Sequence, residues 1–221
     1  MADNRENLTW EEVITEHIIQ DEWIDFRRSA YRLPDGKVFE PFYSFSRRDY
    51  VVIVASDCDG NYLCVRQFRQ GIKEVTTEFP AGGLERSDGR EYGGGAGGAL
   101  RDAAGGASRG AAVSGTEAGG MSDSEDALAA AKRELLEETG YMSSEWTHLL
   151  TIPSNASISD NYAHIYMAKN CRMAARQHLD ETEFLHVELH TPQEIQELIR
   201  TGRFQQAVHV MAWLLAGSQL A

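Results

Sequence analysis

Between Ser87 and Gly120 the chain consists almost wholly of Gly, Ala and Ser with scattered charges. Such a stretch cannot bury enough apolar surface to offset the entropy lost on ordering it. Any core must therefore be assembled from the residues before and after it, with a flexible insertion at about 86–120 between them. The remainder suits a packed core, because 42% of all residues are hydrophobic and 25% charged, which is ordinary globular usage.

Ahead of the insertion the pattern is that of strands. Val13–Ile19, Trp23–Phe26, Tyr31–Leu33 and Lys37–Phe39 mix β-branched and aromatic residues with polar ones. The last two flank Pro34-Asp35-Gly36, a turn in which Pro presets φ and Gly accepts a positive one. Tyr50–Ala55 is an apolar run of strand length, and Tyr62–Arg69 alternates and is expected to pair back on it as a hairpin.

Behind the insertion helices enter. Ser122 to Glu125 offers N-cap residues, Asp126–Thr139 is rich in helix formers, and Gly140 is placed to end the run. Trp146–Ile152, Asn161–Ala168 and Phe184–Leu189 read as strands. Thr191-Pro192-Gln193-Glu194 has the form of a capping box opening a helix to about Arg200, and a last helix is expected over Phe204–Ala216. Without strict βα alternation, the expected class is α/β (α+β), a mixed sheet flanked by helices.

The net charge of −13, from 21 Lys plus Arg against 34 Asp plus Glu, argues against a nucleic-acid surface, which needs a basic footprint. Cys58, Cys64 and Cys171 form no CxxC pair, and all three read as reduced, buried thiols. The polar N-terminus carries no secretory pattern and no apolar run has membrane-spanning length, so the expected setting is cytoplasmic.

The informative segment is Arg133-Glu134-Leu135-Leu136-Glu137-Glu138-Thr139-Gly140-Tyr141. On a helix Glu138 lies about 40° from Glu134, with Glu137 about 60° to the other side, so three carboxylates share one face. They repel one another unless a hard cation intervenes. Periodicity alone is compatible with a metal site or with a solvated acidic face. Against the second, acids at a helix C-terminus oppose the macrodipole.

These residues resemble the Nudix box, G-x5-E-x7-R-E-U-x-E-E-x-G-U with U bulky and apolar. Gly119, Glu125, Arg133, Glu134, Leu135, Glu137, Glu138, Gly140 and Tyr141 stand at its spacings. The resemblance implies a Nudix-type α/β/α sandwich with a mixed β-sheet over 47–221, plus an N-terminal β-rich extension over 1–46. It implies that Glu134 and Glu138 bind Mg²⁺, with Mn²⁺ as the alternative, that Glu137 is auxiliary, and that Arg133 and Glu125 are structural. Glu78-Phe79-Pro80-Ala81-Gly82-Gly83 is similar to the segment before the helix in ADP-ribose and nucleotide-sugar pyrophosphatases, which implies a metal-ligating carbonyl at Ala81 and a substrate-facing Glu78. Gln67-Phe68-Arg69 looks like the strand end whose Arg contacts substrate, here Arg69. Asp180-Glu181-Thr182-Glu183 is similar to that branch's acidic loop, which implies Glu181 as the base and Glu183 as its reserve.

One departure concerns the glycine. In the usual pattern the Gly of P-A-G also opens the box. Here the insertion separates Gly82 from Glu125, so Gly119 meets the spacing while Gly82 is the alternative box glycine. The implied activity is Mg-dependent hydrolysis of ADP-ribose to AMP and ribose 5-phosphate. GDP-mannose or another nucleotide sugar is the alternative substrate, and a non-catalytic nucleotide-binding module the alternative class. The implied partners are a small nucleotide-diphosphate substrate and a second copy of the chain in a homodimer, with no nucleic acid and no membrane.

Overall fold

The structure, a computed structural model, describes residues 8–21, 23–85, 125–180 and 183–218. Its organising element is β4 (Tyr50–Asp57), in which Val51 to Ala55 are all fully buried. A continuous apolar run of this kind belongs to a strand covered on both faces. Successive side chains point to opposite sides. Val52 and Val54 therefore join one core with Phe79, Ile165, Ile195, Phe204 and Ala212. Val51, Ile53 and Ala55 join another with Ala130, Ala131, Leu135 and Tyr166. The first core lies beneath α2 (Pro192–Arg200) and α3 (Ala207–Ser218), the second beneath α1 (Ala127–Thr139). The result is the expected sandwich of helices on both sides of a sheet.

The sheet is mixed. β4 runs parallel to β10 (Tyr162–Met173), which pairs antiparallel with β9 (Glu145–Pro153) and, at its far end, with β8 (Tyr141–Met142). On its other edge β4 meets β7 (Ala81–Gly83) over Tyr50–Val52. β5 (Tyr62–Arg69) leaves β4 after the single pair Ser56↔Tyr62, then pairs with β6 (Glu74–Glu78) and β11 (Leu185–His190). The expected antiparallel β4–β5 hairpin is thus formed, but its ladder is short. β6 and β7 each take part of the partnership that sequence alternation assigned to one strand.

Helix boundaries follow their chemistry. Asp126, rather than the preceding serines and Glu125, caps α1 by accepting from the Ala129 N–H, and Gly140 ends it at φ 77°. Thr191 and Glu194 form the reciprocal capping box of α2. α3 begins three residues later than expected because Arg203 to Gln205 bond elsewhere. The Thr77 N–H donates to the Arg203 carbonyl, and the Gln205 N–H to Thr76 Oγ1. Cys64 and Cys171 are buried free thiols, whereas Cys58 is exposed in the turn after β4, against expectation.

Before the sandwich stands a separate three-stranded antiparallel sheet of β1 (Glu11–Gln20), β2 (Asp25–Arg32) and β3 (Val38–Ser46). The turn at Pro34-Asp35-Gly36 is formed, with Gly36 at φ 86°. β3 runs past Pro41 to Ser46, and the register shift opposite Ala30 accommodates the missing donor. This sheet touches the sandwich where the Phe45 N–H donates to the Ile158 carbonyl and where Arg27 and Ser46 converge on Asp160. No helix among the described residues is long and apolar enough to cross a membrane.

Candidate active site

The acidic face of α1 points at β7. Glu134 and Glu138 are almost wholly buried, and Glu138 Oε2 accepts the Ala81 N–H at 3.0 Å. A Cβ on Gly82 would lie 1.9 Å from Glu134 Cδ, so only glycine lets this strand approach while the carboxylate keeps its place. That contact gives Gly82 a structural role beside the acidic face. Gly119 lies outside the described residues.

Arg133 ties the cluster together. Its Nη1 donates to Glu134 Oε1 and Glu137 Oε2, both at 2.9 Å. Its Nη2 donates to Glu125 Oε2 at 3.0 Å and to the Gly83 carbonyl at 3.1 Å, and Nε to Glu125 Oε1 at 3.2 Å. One guanidinium thereby links α1, β7 and the residue preceding the α1 cap. Burial opposes its charge, but Glu125, Glu134 and Glu137 prevail and raise its pKa. It also supplies positive charge near a helix end that lacks basic residues in its last turn.

Even so, the carboxylates are not fully compensated. Burial raises Glu134 to about 7, with Arg133 opposing and Glu137 and Glu183 adding to the rise. Burial also holds Glu138 well above the ordinary carboxylate range, helped by the Glu134 charge and opposed by the Ala81 N–H. Two neighbouring acids driven toward their protonated forms would be stabilised in their ionised forms by added positive charge. Among the described residues no three His, Cys, Asp or Glu side chains converge on one point. A cation held by Glu134 and Glu138 would thus need further oxygens from the main chain, water or substrate, and hard divalent ions accept such mixed oxygen shells.

Arg69 and Glu78 form a second unit. Arg69 Nε and Nη2 donate to the two Glu78 oxygens at 2.9 and 2.6 Å, a bidentate pair. Glu78 is completely buried while the Arg69 side chain is about one-third exposed. Arg69 therefore reaches open space and Glu78 stands behind it, off the cavity wall.

That open space is a cavity of about 450 Å³ bordered by Arg47, Arg48, Arg69, Asn155, Asn161 and His209. The backbone of Ala81 to Gly83 forms the wall it shares with the carboxylates. In a strongly acidic protein, three arginines border this one hollow, Arg69 among them already paired with Glu78. Glu137 is half-exposed and held by Arg133. Glu183 lies near enough for its charge to act on Arg69, Glu134 and Glu138, and its carboxylate accepts the Asp180 N–H at 3.1 Å. Glu181 lies outside the described residues.

Sequence reasoning missed Arg47, Arg48, Asn155, Asn161 and His209. The adjacent arginines at the β3–β4 junction were the available signal for the first two. The asparagines lie in the loop that receives the N-terminal sheet, and His209 sits within an apolar helical stretch that reads as core.

Comparison with known proteins agrees with this architecture. A family model, the NUDIX domain, matches residues 101–214, more than half of the chain. An ADP-ribose pyrophosphatase of Bacillus subtilis (strain 168) is 23% identical over 202 residues, covering 88% of this chain and 85% of the relative. A methanol dehydrogenase activator of Bacillus methanolicus is likewise 23% identical, over 90% of this chain and 87% of its own length. The crystal structure of an ADP compounds hydrolase shares the fold with a TM-score of 0.70 at 17% identity, covering 97% of this chain and 96% of the other. With Glu125, Arg133, Glu134 and Glu138 gathered at one acidic face, the chain belongs to the Nudix family of hydrolases.

Proposed function

We propose that the protein cleaves the pyrophosphate bond of a nucleoside diphosphate linked to a second moiety, with ADP-ribose as substrate and AMP and ribose 5-phosphate as products. The observation that carries this reading is the adjacency of two buried, charge-deficient carboxylates to an arginine-lined cavity, with only the Ala81–Gly83 backbone between them. The arginines bind and orient the diphosphate. Glu134, Glu138 and the Ala81 carbonyl are the groups that would hold Mg²⁺ or Mn²⁺. A divalent ion held there would neutralise phosphate charge and make bound water more acidic. Glu181, with Glu183 of the same acidic loop as its reserve, takes the proton of the attacking water. The new P–O bond forms as the bridging P–O bond breaks, and the bridging oxygen leaves with the other phosphate. Glu78 positions Arg69, and Glu125, Arg133 and Gly140 keep the α1 face in place.

The names of the two relatives that act on ADP conjugates support this choice of substrate over GDP-mannose. The decisive measurement is product release from ADP-ribose, GDP-mannose and ADP by the purified protein, with Mg²⁺ and with chelator. AMP and ribose 5-phosphate in equal amounts are expected from ADP-ribose only when metal is present. Glu138→Gln is expected to lower kcat at least a hundredfold without loss of folding. Binding of ADP-ribose without turnover would instead identify a non-catalytic nucleotide-binding module.

We place the domain boundary after Ser46, with residues 1–46 as a dimerisation unit and 47–221 as the hydrolase domain. β1 is exposed along almost its whole length and presents Val13, Ile14, Ile18 and Ile19, with Trp10 beside them. A small sheet with so little buried surface gains stability by packing against a second copy. Light scattering on the purified protein is expected to give twice the 24.6 kDa chain mass.

A further inference from the structure

His209 sits in the first turn of α3 and is 4% exposed, yet it borders the arginine-lined cavity. Its two ring nitrogens have different surroundings. Nδ1 accepts the Phe79 N–H at 3.2 Å. An acceptor at Nδ1 fixes the neutral tautomer, so the proton is on Nε2. For that N–H, the acidic oxygen Glu78 Oε2 lies 4.0 Å away, beyond hydrogen-bond reach. No described residue accepts from it. Glu78 cannot turn toward it either, because both of its oxygens are engaged by Arg69.

The ring itself is held firmly. It lies parallel to Phe79 with an interplanar angle of 4°, and Phe79 packs edge-on against Phe204 at 5.0 Å. Burial, reinforced by the Arg69 charge, lowers the imidazole pKa to about 3. A neutral donor with a fixed direction, on a residue that borders the cavity and with no accepting side chain in reach, is available to a ligand lodged there.

We propose that His209 is a substrate-binding residue whose Nε2–H donates to an oxygen of the conjugate lodged between Arg69 and the Ala81–Gly83 strand. The inference rests on the pyrophosphatase reading for the nature of that conjugate. Because the imidazole carries no charge, it contributes direction where the arginines contribute attraction.

Two substitutions separate the two nitrogens. In His209→Asn the side-chain oxygen keeps the Nδ1 acceptor for Phe79 but no group reaches the Nε2 position. In His209→Gln the amide keeps a donor near Nε2 and surrenders the Phe79 bond. Kinetics with ADP-ribose are read beside melting temperature and beside the Kd for a non-hydrolysable α,β-methylene ADP-ribose. His209→Asn is expected to melt close to wild type while KM and Kd rise about tenfold, the worth of one hydrogen bond. His209→Gln is expected to melt lower and to stay within about threefold of wild-type KM. In the wild-type protein, the Nε2 resonance of His209 is expected to shift when the methylene analogue saturates the site.

Wild-type KM and Kd in His209→Asn would overturn the assignment, as would an Nε2 resonance unmoved at saturation. The second measurement needs no variant to fold. If wild type binds the analogue tightly but never cleaves ADP-ribose, the hydrolase reading fails, and the Kd ratio and the resonance still decide the role of His209. If wild type binds no analogue at all, both fall.

Discussion

Arg133 shows how much one side chain can organise. It closes four hydrogen bonds to carboxylates and one to a main-chain carbonyl. Replacing it with Met would leave Glu125, Glu134 and Glu137 without their shared cation and the Gly83 carbonyl without its donor. Removing one partner from a largely buried ionic cluster costs about 3 kcal/mol. Urea unfolding of Arg133→Met is expected to show a loss of that size, and a loss below about 1 kcal/mol would show that the cluster relaxes easily. Gly82 carries the complementary lesson, since what matters there is the absence of a side chain. At this scale the site was partly legible. The spacing of Glu134, Glu137 and Glu138 fixes their common face, because helical geometry is local. The bidentate Arg69–Glu78 pair was not legible as a pair, because it depends on β5 lying beside β6, and nothing in either segment names its neighbour.

Among the elements, those with covalent punctuation were read from sequence and those defined by tertiary pairing were not. α1 and α2 end and begin where Gly140 and the Thr191–Glu194 box place them. α3 lost its expected first turn because the backbone of Arg203 to Gln205 is claimed by β6 and by the end of α2. β4 and β5 carry hairpin chemistry at Asp57–Asn61, yet β5 swings away to serve β6 and β11. The insertion is attached at a closed stem. The Glu125 N–H donates to the Glu85 carbonyl at 2.8 Å, and the Glu85 N–H to Glu125 Oε2 at 3.3 Å. Replacing residues 86–124 with a short Gly-Ser turn is thus expected to leave the melting temperature equal or slightly higher, since a shorter loop costs less entropy to close. Calorimetry checks this, and a fall of more than about 5 °C would show that the segment contributes packing.

For the whole molecule, the buried acids make stability depend on pH and metal together. Glu134 has a folded-state pKa of about 7, above its ordinary value of 4.5. The metal-free fold therefore binds the proton more tightly than the unfolded chain, and on this account stability is highest below pH 4.5 and falls until pH passes about 7. The full loss is on the order of 3 kcal/mol from Glu134, and Glu138 adds in the same direction. With chelator present, the melting temperature is expected to drop between pH 5.5 and 8. Added Mg²⁺ is expected to recover more at pH 8 than at pH 6, because the cation competes with protons for the same oxygens. Equal recovery at both would separate metal binding from these carboxylates.

The stem at Glu85 and Glu125 also bears on how the molecule holds together if it is severed. β4 comes from the first half and β10 from the second, and the two lie side by side over Tyr50 to Ala55 with α1 seated on β4. A backbone cut anywhere in 86–124 would leave fragments whose cohesion owes nothing to the lost link. Co-produced 1–85 and 125–221 are accordingly expected to copurify and to restore whatever hydrolysis the intact chain shows, so that the pair would report on its own reassembly.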